Sequence, residues 1–149
     1  MIESRHAASA PQLHRDFDAM AAAARRAVQG RRAPLEALNT YLTTQRVAAV
    51  VADDGGWVIA ANEAACRLTA YALDELLELS VPDLTAPADA KPGERLWNSF
   101  VRSDYQRGTF TIRRKDGIPV RVFYYAYKDI AHGAHLSFLL PADADAADV

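Results

Sequence analysis

Residues 118–130 alternate side chains without giving either side of a β-strand a polar face. Val120, Val122, Tyr124 and Ala126 fall on one side, and Arg121, Phe123, Tyr125 and Tyr127 on the other, since successive strand side chains point to opposite faces. A strand with one wet face shows apolar residues alternating with polar ones. This strand needs cover on both faces, so the sheet holding it lies between two layers. Pro119, which has no amide donor, suits the start of a strand or an edge. Asp116-Gly117 is a two-residue hairpin signal, and residues 108–114 before it place Phe110 and Ile112 on one face and Thr109, Thr111 and Arg113 on the other. A closing strand over 135–140 carries Leu136, Phe138 and Leu140 on one face, with His132-Gly133 turning into it and Pro141 ending it.

Cover for one face is available upstream. Leu13, Phe17, Met20, Ala24 and Val28 recur at helical spacing, between a start signal at Ser9 and Pro11 and a stop at Gly30. Pro34 opens a second helix with Leu35, Leu38, Tyr41 and Leu42 on one side. A single apolar face must be buried. Its partner is either the sheet of its own chain or the same helices of a second chain, and spacing alone does not choose between them. Arg25, Arg26, Arg31 and Arg32 read as a solvated face, because no base-reading recognition helix accompanies them; nucleic acid is not an expected partner. After a loop at 86–91, residues 93–106 predict another helix, with Leu96, Trp97, Phe100, Val101 and Tyr105 on one broad face.

The stretch from Val47 to Leu84 ties these parts together. Asp53-Asp54-Gly55-Gly56 supplies a tight turn between two short strands, the second spanning 57–61. Asn62 stands where a helix begins and can cap it, with Glu63 suited to the positive end of the helix dipole. Asp54-Gly55, Ala61-Asn62, Ala64-Ala65, Leu68, Tyr71, Glu75-Leu76 and Val81 to Leu84 follow one another in an order that resembles the PAS sensor-domain family, and residues 113–117 resemble that family's later hairpin. Ala70 and Glu78 depart from it, each standing where the family often has glycine.

The resemblance implies an α+β fold: a five-stranded antiparallel sheet with helices on one face, over residues 47–141, preceded by a helical extension at 1–46 and followed by a disordered acidic tail at 142–149. It also implies an internal cavity. Its expected walls are Leu68, Tyr71, Leu84, Trp97, Phe100, Val101, Phe110, Ile112, Tyr124, Leu136 and Phe138, with Tyr71 or Tyr124 orienting a small, mostly apolar ligand; plain core packing is the competing reading of the same residues. N-terminal helices of this family often pair between chains. The expected homodimer interface is therefore Leu13, Phe17, Met20, Val28, Leu35, Leu38 and Leu42 together with Phe123, Tyr125 and Tyr127. The function expected is signal sensing and interaction with a signalling partner protein. Its rivals are a small α+β enzyme and a dimerisation unit with a solid core.

Chemistry narrows this further. In the family's flavin-adduct members a cysteine follows the Glu-Leu helix; here that position is Val81, while Cys66 lies one element too early and reads as a small core hydrophobe. No histidine occurs in residues 82–106 to hold haem, and His132 and His135 lack a third partner on a helix, so no metal or other cofactor is expected, with non-covalent flavin, whose signature is diffuse, as the open alternative. No nucleophilic triad, phosphate loop or paired carboxylate stands out, and no catalysis is expected. A net charge of −2 gives no general pull toward polyanions or membranes. One cysteine excludes a disulfide framework, and with no apolar run near the ~18 residues of a spanning helix, the expected location is the cytoplasm.

Overall fold

The computed structural model describes residues 10–86, 97–100 and 102–142. Expectations for Ser9, Leu96, Val101, the N-terminal residues, the core of the 86–91 loop and the acidic tail fall outside these. Helix α1 (Ala10–Val28) and helix α2 (Pro34–Thr43) come first. Strands β1 (Ala48–Ala52) and β2 (Val58–Ala61) follow, then the short helices α3 (Glu63–Thr69) and α4 (Leu73–Leu76) and a single 3-10 turn (Pro82–Leu84). Strands β3 (Tyr105–Arg113), β4 (Pro119–Ala131) and β5 (Ala134–Pro141) complete one antiparallel sheet of order β2-β1-β5-β4-β3. The fold is α+β with helices on both sides of the sheet.

Local chemistry explains the joints. Asp53 Oδ1 accepts the amides of Gly55 (2.9 Å) and Trp57 (3.0 Å), and Gly56 takes φ +86, so the turn between β1 and β2 needs its acidic start and its glycine. Asn62 is buried and its side chain works in three directions. Its Oδ1 accepts from Ala65 N–H as the α3 cap and from Ala49 N–H in β1, each at 3.0 Å, while its amide donates to Val47 O at 2.8 Å. Ala70, in the family's glycine position, closes α3 with φ +63. A left-handed alanine costs roughly 1–2 kcal/mol that glycine would avoid.

Residues 97–100 are helical, but the helix expected to run to Gln106 gives way to β3 at Tyr105. Tyr105 and Gln106 pair with Tyr127 and Ala126 of β4, and this pairing overrides a spacing that suits either element.

The sheet is buried on both faces. On one, α1 and α2 lay Phe17, Ala21, Ala24, Val28, Leu38 and Leu42 over Val51, Tyr125, Tyr127, Leu136 and Phe138. Phe17 stacks on Tyr125 at 4.4 Å and lies 5.3 Å from Phe138. Polar ties fix the helix in place: Tyr127 O–H donates to Asp18 Oδ1 (2.7 Å), and Arg25, read from sequence as solvated, donates to the carbonyls of Asp129 (2.8 Å) and Lys128 (3.1 Å). The two-sided burial of β4 is met by this chain's own helices. On the other face, Val50, Val58, Leu76, Leu84, Phe100, Ile112, Val122 and Leu139 form the second core.

Truncating Phe17 removes a ring held between two others. Phe17→Ala should lower unfolding free energy by about 3–5 kcal/mol in urea titrations. A loss below about 1 kcal/mol, the range of half-exposed truncations, would mean that α1 does not pack on its own sheet.

Candidate functional site

The second face leaves a gap, and strand register explains where it is. Val50, Ser137, Ala126 and Gln106 are mutual neighbours across β1, β5, β4 and β3, forming one row of the sheet. Its two central members, Ser137 and Ala126, are small. Above this row stand the bulky side chains of Val81, Leu84, Trp97 and Phe100, with Phe110, Tyr124 and Leu139 flanking it. Short floor and tall walls bound a half-open cavity of about 90 Å³, also lined by Thr85.

Tyr124 is set by its neighbour. Gly108 is its partner on β3, and a Cβ there would come within 3.1 Å of the ring and 3.2 Å of the hydroxyl. Any larger residue would have to push the phenol aside by a few tenths of an ångström from its place across β3, where its oxygen accepts from Gln106 Nε2 at 2.7 Å. Burial pushes the Tyr124 hydroxyl above the ordinary tyrosine range, opposed by the Gln106 contact.

Of the walls expected from sequence, Leu84, Trp97, Phe100, Phe110 and Tyr124 line the cavity. Leu68 and Tyr71 pack half-buried around the second core and Ile112 is buried within it, all away from the cavity lining. Leu136 and Phe138 are a correction. They pair with Tyr127 and Tyr125 and belong to the face covered by α1, whereas Ser137 and Leu139 turn toward the cavity. Both faces of β5 carry apolar residues, so composition alone did not show which one met which layer. Val50, Val81, Thr85, Gln106, Ala126, Ser137 and Leu139 were missed. Their signal is positional, and it appears only once the strands are put in register.

The residues expected at a dimer interface are distributed differently. Phe17, Val28, Leu38, Leu42, Tyr125 and Tyr127 are buried within the chain, Leu13 and Met20 are half-buried, and Leu35 and Phe123 remain 38% and 40% exposed.

Beside the cavity, His135 is 1% exposed and packs edge-on to Phe100 at 5.7 Å and to Trp97 at 6.3 Å. Its Nδ1 accepts the Asp129 amide at 3.0 Å, so Nε2 carries the proton and donates to Asp54 Oδ1 at 2.7 Å. Asp54, Asp129 and His135 are close enough to suggest a metal site. The chemistry does not fit one. Nδ1 is already an acceptor, and ligation through Nε2 would require moving the proton to Nδ1, against the Asp129 N–H. Cys66 is half-buried on the second core, and burial, then nearby Glu63, pushes its thiol above the usual range.

The PAS domain family profile matches residues 46–140. The chain belongs to the PAS domain family. Solved PAS structures share its fold: a domain of a sensory box sensor histidine kinase/response regulator from Geobacter sulfurreducens superposes with TM-score 0.62 at 20% identity, covering 71% of this chain and 92% of that one. A PAS domain from Colwellia psychrerythraea gives 0.62 at 19% identity over 72% and 95%. The PAS domain of a LuxR-family transcriptional regulator from Burkholderia thailandensis, in complex with ethanol, gives 0.58 at 15% identity over 70% and 96%. No curated protein sequence matches this chain. Its fold is similar to that of domains from a sensor kinase and a LuxR-family regulator. Among the described residues, no helix is long and apolar enough to cross a membrane.

Four tyrosines of this PAS domain make its alkaline behaviour predictable. Burial raises the pKa of Tyr41, Tyr124, Tyr125 and Tyr127, the last further raised by its bond to Asp18. Each stays protonated in the folded chain after it would ionise in the unfolded one, so their contribution is complete below about pH 10 and lost as pH rises above it. Urea midpoints should fall steadily above about pH 10, and less steeply in Tyr127→Phe. An identical slope in that variant would contradict the assignment.

Proposed function

We propose that this PAS domain is a non-catalytic sensor that holds a small, mostly apolar ligand between its sheet and the helical residues 97–100, and signals to a partner protein through its N-terminal helices. The observation that carries this reading is the cavity itself, walled by bulky side chains over a floor of Ser137 and Ala126. A PAS domain with this fold in Burkholderia thailandensis was crystallised with a small molecule, ethanol, which supports small-molecule occupancy as a use of the fold. A cytoplasmic setting accords with the single, unpaired cysteine.

Xenon is the direct probe, since it occupies apolar cavities. The full chain should take up xenon saturably by ¹²⁹Xe NMR, with amide shifts at Ala126 and Ser137. Ala126→Leu, which fills the floor, should remove that uptake while keeping the native amide spectrum. Equal uptake in both proteins would rule out the cavity as the binding site.

Pairing of two chains belongs to the same proposal, on a narrower surface than the sequence suggests. Phe123 is on the face that α1 covers, yet it stays exposed beside Leu140, and it offers an apolar contact to a second copy. Sedimentation equilibrium should show a monomer–dimer equilibrium that Phe123→Asp shifts toward monomer. A wild-type chain that stays monomeric at every concentration reached would end this part of the proposal.

A further inference from the structure

The size, charge and polar lining of the cavity together specify a ligand class, an inference that rests on the sensor reading above. An apolar cavity of about 150 Å³ takes benzene, with its six carbons. A space of about 90 Å³ in proportion takes roughly three to five non-hydrogen atoms. Among the described residues, the lining contains no aspartate, glutamate, lysine, arginine or histidine. A charged group seated among these side chains would meet no counter-charge from them.

The lining is not uniformly apolar. Tyr124 accepts a hydrogen bond from Gln106, and among the described residues nothing accepts the phenol's own hydrogen, which leaves it to donate. Ser137, in the floor one strand over, supplies a second hydroxyl. Two donors in an otherwise apolar space suit one oxygen on a short carbon chain. We propose that the cavity binds a neutral short-chain alcohol or ketone, its oxygen hydrogen-bonded by Tyr124 and Ser137 and its chain against Val50, Leu84, Phe100 and Leu139.

Amide-detected NMR titration of the full chain tests this with matched probes. 1-Butanol and 2-butanone should bind saturably, shifting the amides of Gln106, Tyr124 and Ser137. n-Pentane has the size of butanol without its oxygen, and it should bind roughly three- to tenfold more weakly, the weight of one neutral hydrogen bond. Butyrate should bind more weakly than butanol, since the lining side chains offer no counter-charge, and 1-octanol no more tightly, since its outer carbons extend past them. Tyr124→Phe should abolish most of the advantage of butanol over pentane, and Ser137→Ala should reduce it in a second, independent variant. Pentane binding as tightly as butanol, or preferred binding of butyrate or octanol, would overturn the ligand class. The same results with xenon still bound would leave the sensor reading standing; loss of both xenon and every organic probe would remove that reading too.

Discussion

The stack of Phe17 on Tyr125 and Phe138 is the contact on which the other features of the structure depend. Both faces of β4 and β5 carry large apolar side chains, and neither could stay in water as an open sheet face. α1 covers one face through small residues, Ala21 and Ala24, that let its axis come close, and through one large ring that reaches between two strands. Because α1 covers most of that face within the chain, the cavity lies on the opposite one. Were α1 to move onto another chain, the aromatic side of β4 would need a substitute of the same shape.

The two faces are filled in different ways, and that difference produces the cavity. Toward α1 the aromatic rings interlock at centroid distances of 4.4 to 6.1 Å, leaving little space between them. Toward the short helices the tall side chains stand at the rim and the short ones, Ser137 and Ala126, in the middle. A close-packed interior leaves a void only where large neighbours cannot collapse onto small ones. Here the Trp97 ring lies against the turn at Gly56 and edge-on to His135. Phe100 likewise rests edge-on against His135. The void is thus propped open by polar structure next to it.

Local signals in the sequence proved dependable and long-range ones less so. Asn62 as a cap, Pro34 as a helix start and the Asp53–Gly56 turn each depend on chemistry within a few residues, and each sits where that chemistry puts it. The alternation in β4 was also legible, since aromatic residues on both sides leave no other reading. β5 was harder. Leu136 and Phe138 look like the inner face of a strand, and His135 and Ser137 like its outer one, yet the polar pair faces the cavity side because Asp54, Asp129 and the void itself make polar groups tolerable there. Which face met which layer was decided by pairing with Tyr125 and Tyr127, residues about a dozen positions away in sequence. Arg25 shows the same limit. Its guanidinium answers two backbone carbonyls more than a hundred residues downstream, a partnership no helical pattern announces.

Those long-range contacts also join the cavity to the leading helix. Phe100 and Trp97 rest on His135; His135 accepts the amide of Asp129; the carbonyl of Asp129 receives Arg25 of α1. Adjacency alone does not make coupling, which requires an element with two arrangements that the two ends favour unequally. Asp129 is where such an element would lie: it sits at φ +52, a left-handed conformation that aspartate adopts more readily than most residues, in the part of β4 where regular pairing with β5 breaks between Tyr127 and Ala131. Three contacts from three directions hold it there: the His135 ring, the Arg25 guanidinium, and the Gly133 amide on its carboxylate. Loss of any one would leave that conformation held by the remaining two. A displacement of Phe100 or Trp97 against His135 would reach Asp129 before it reached α1, so Asp129 is the joint at which the cavity side and the leading helix meet.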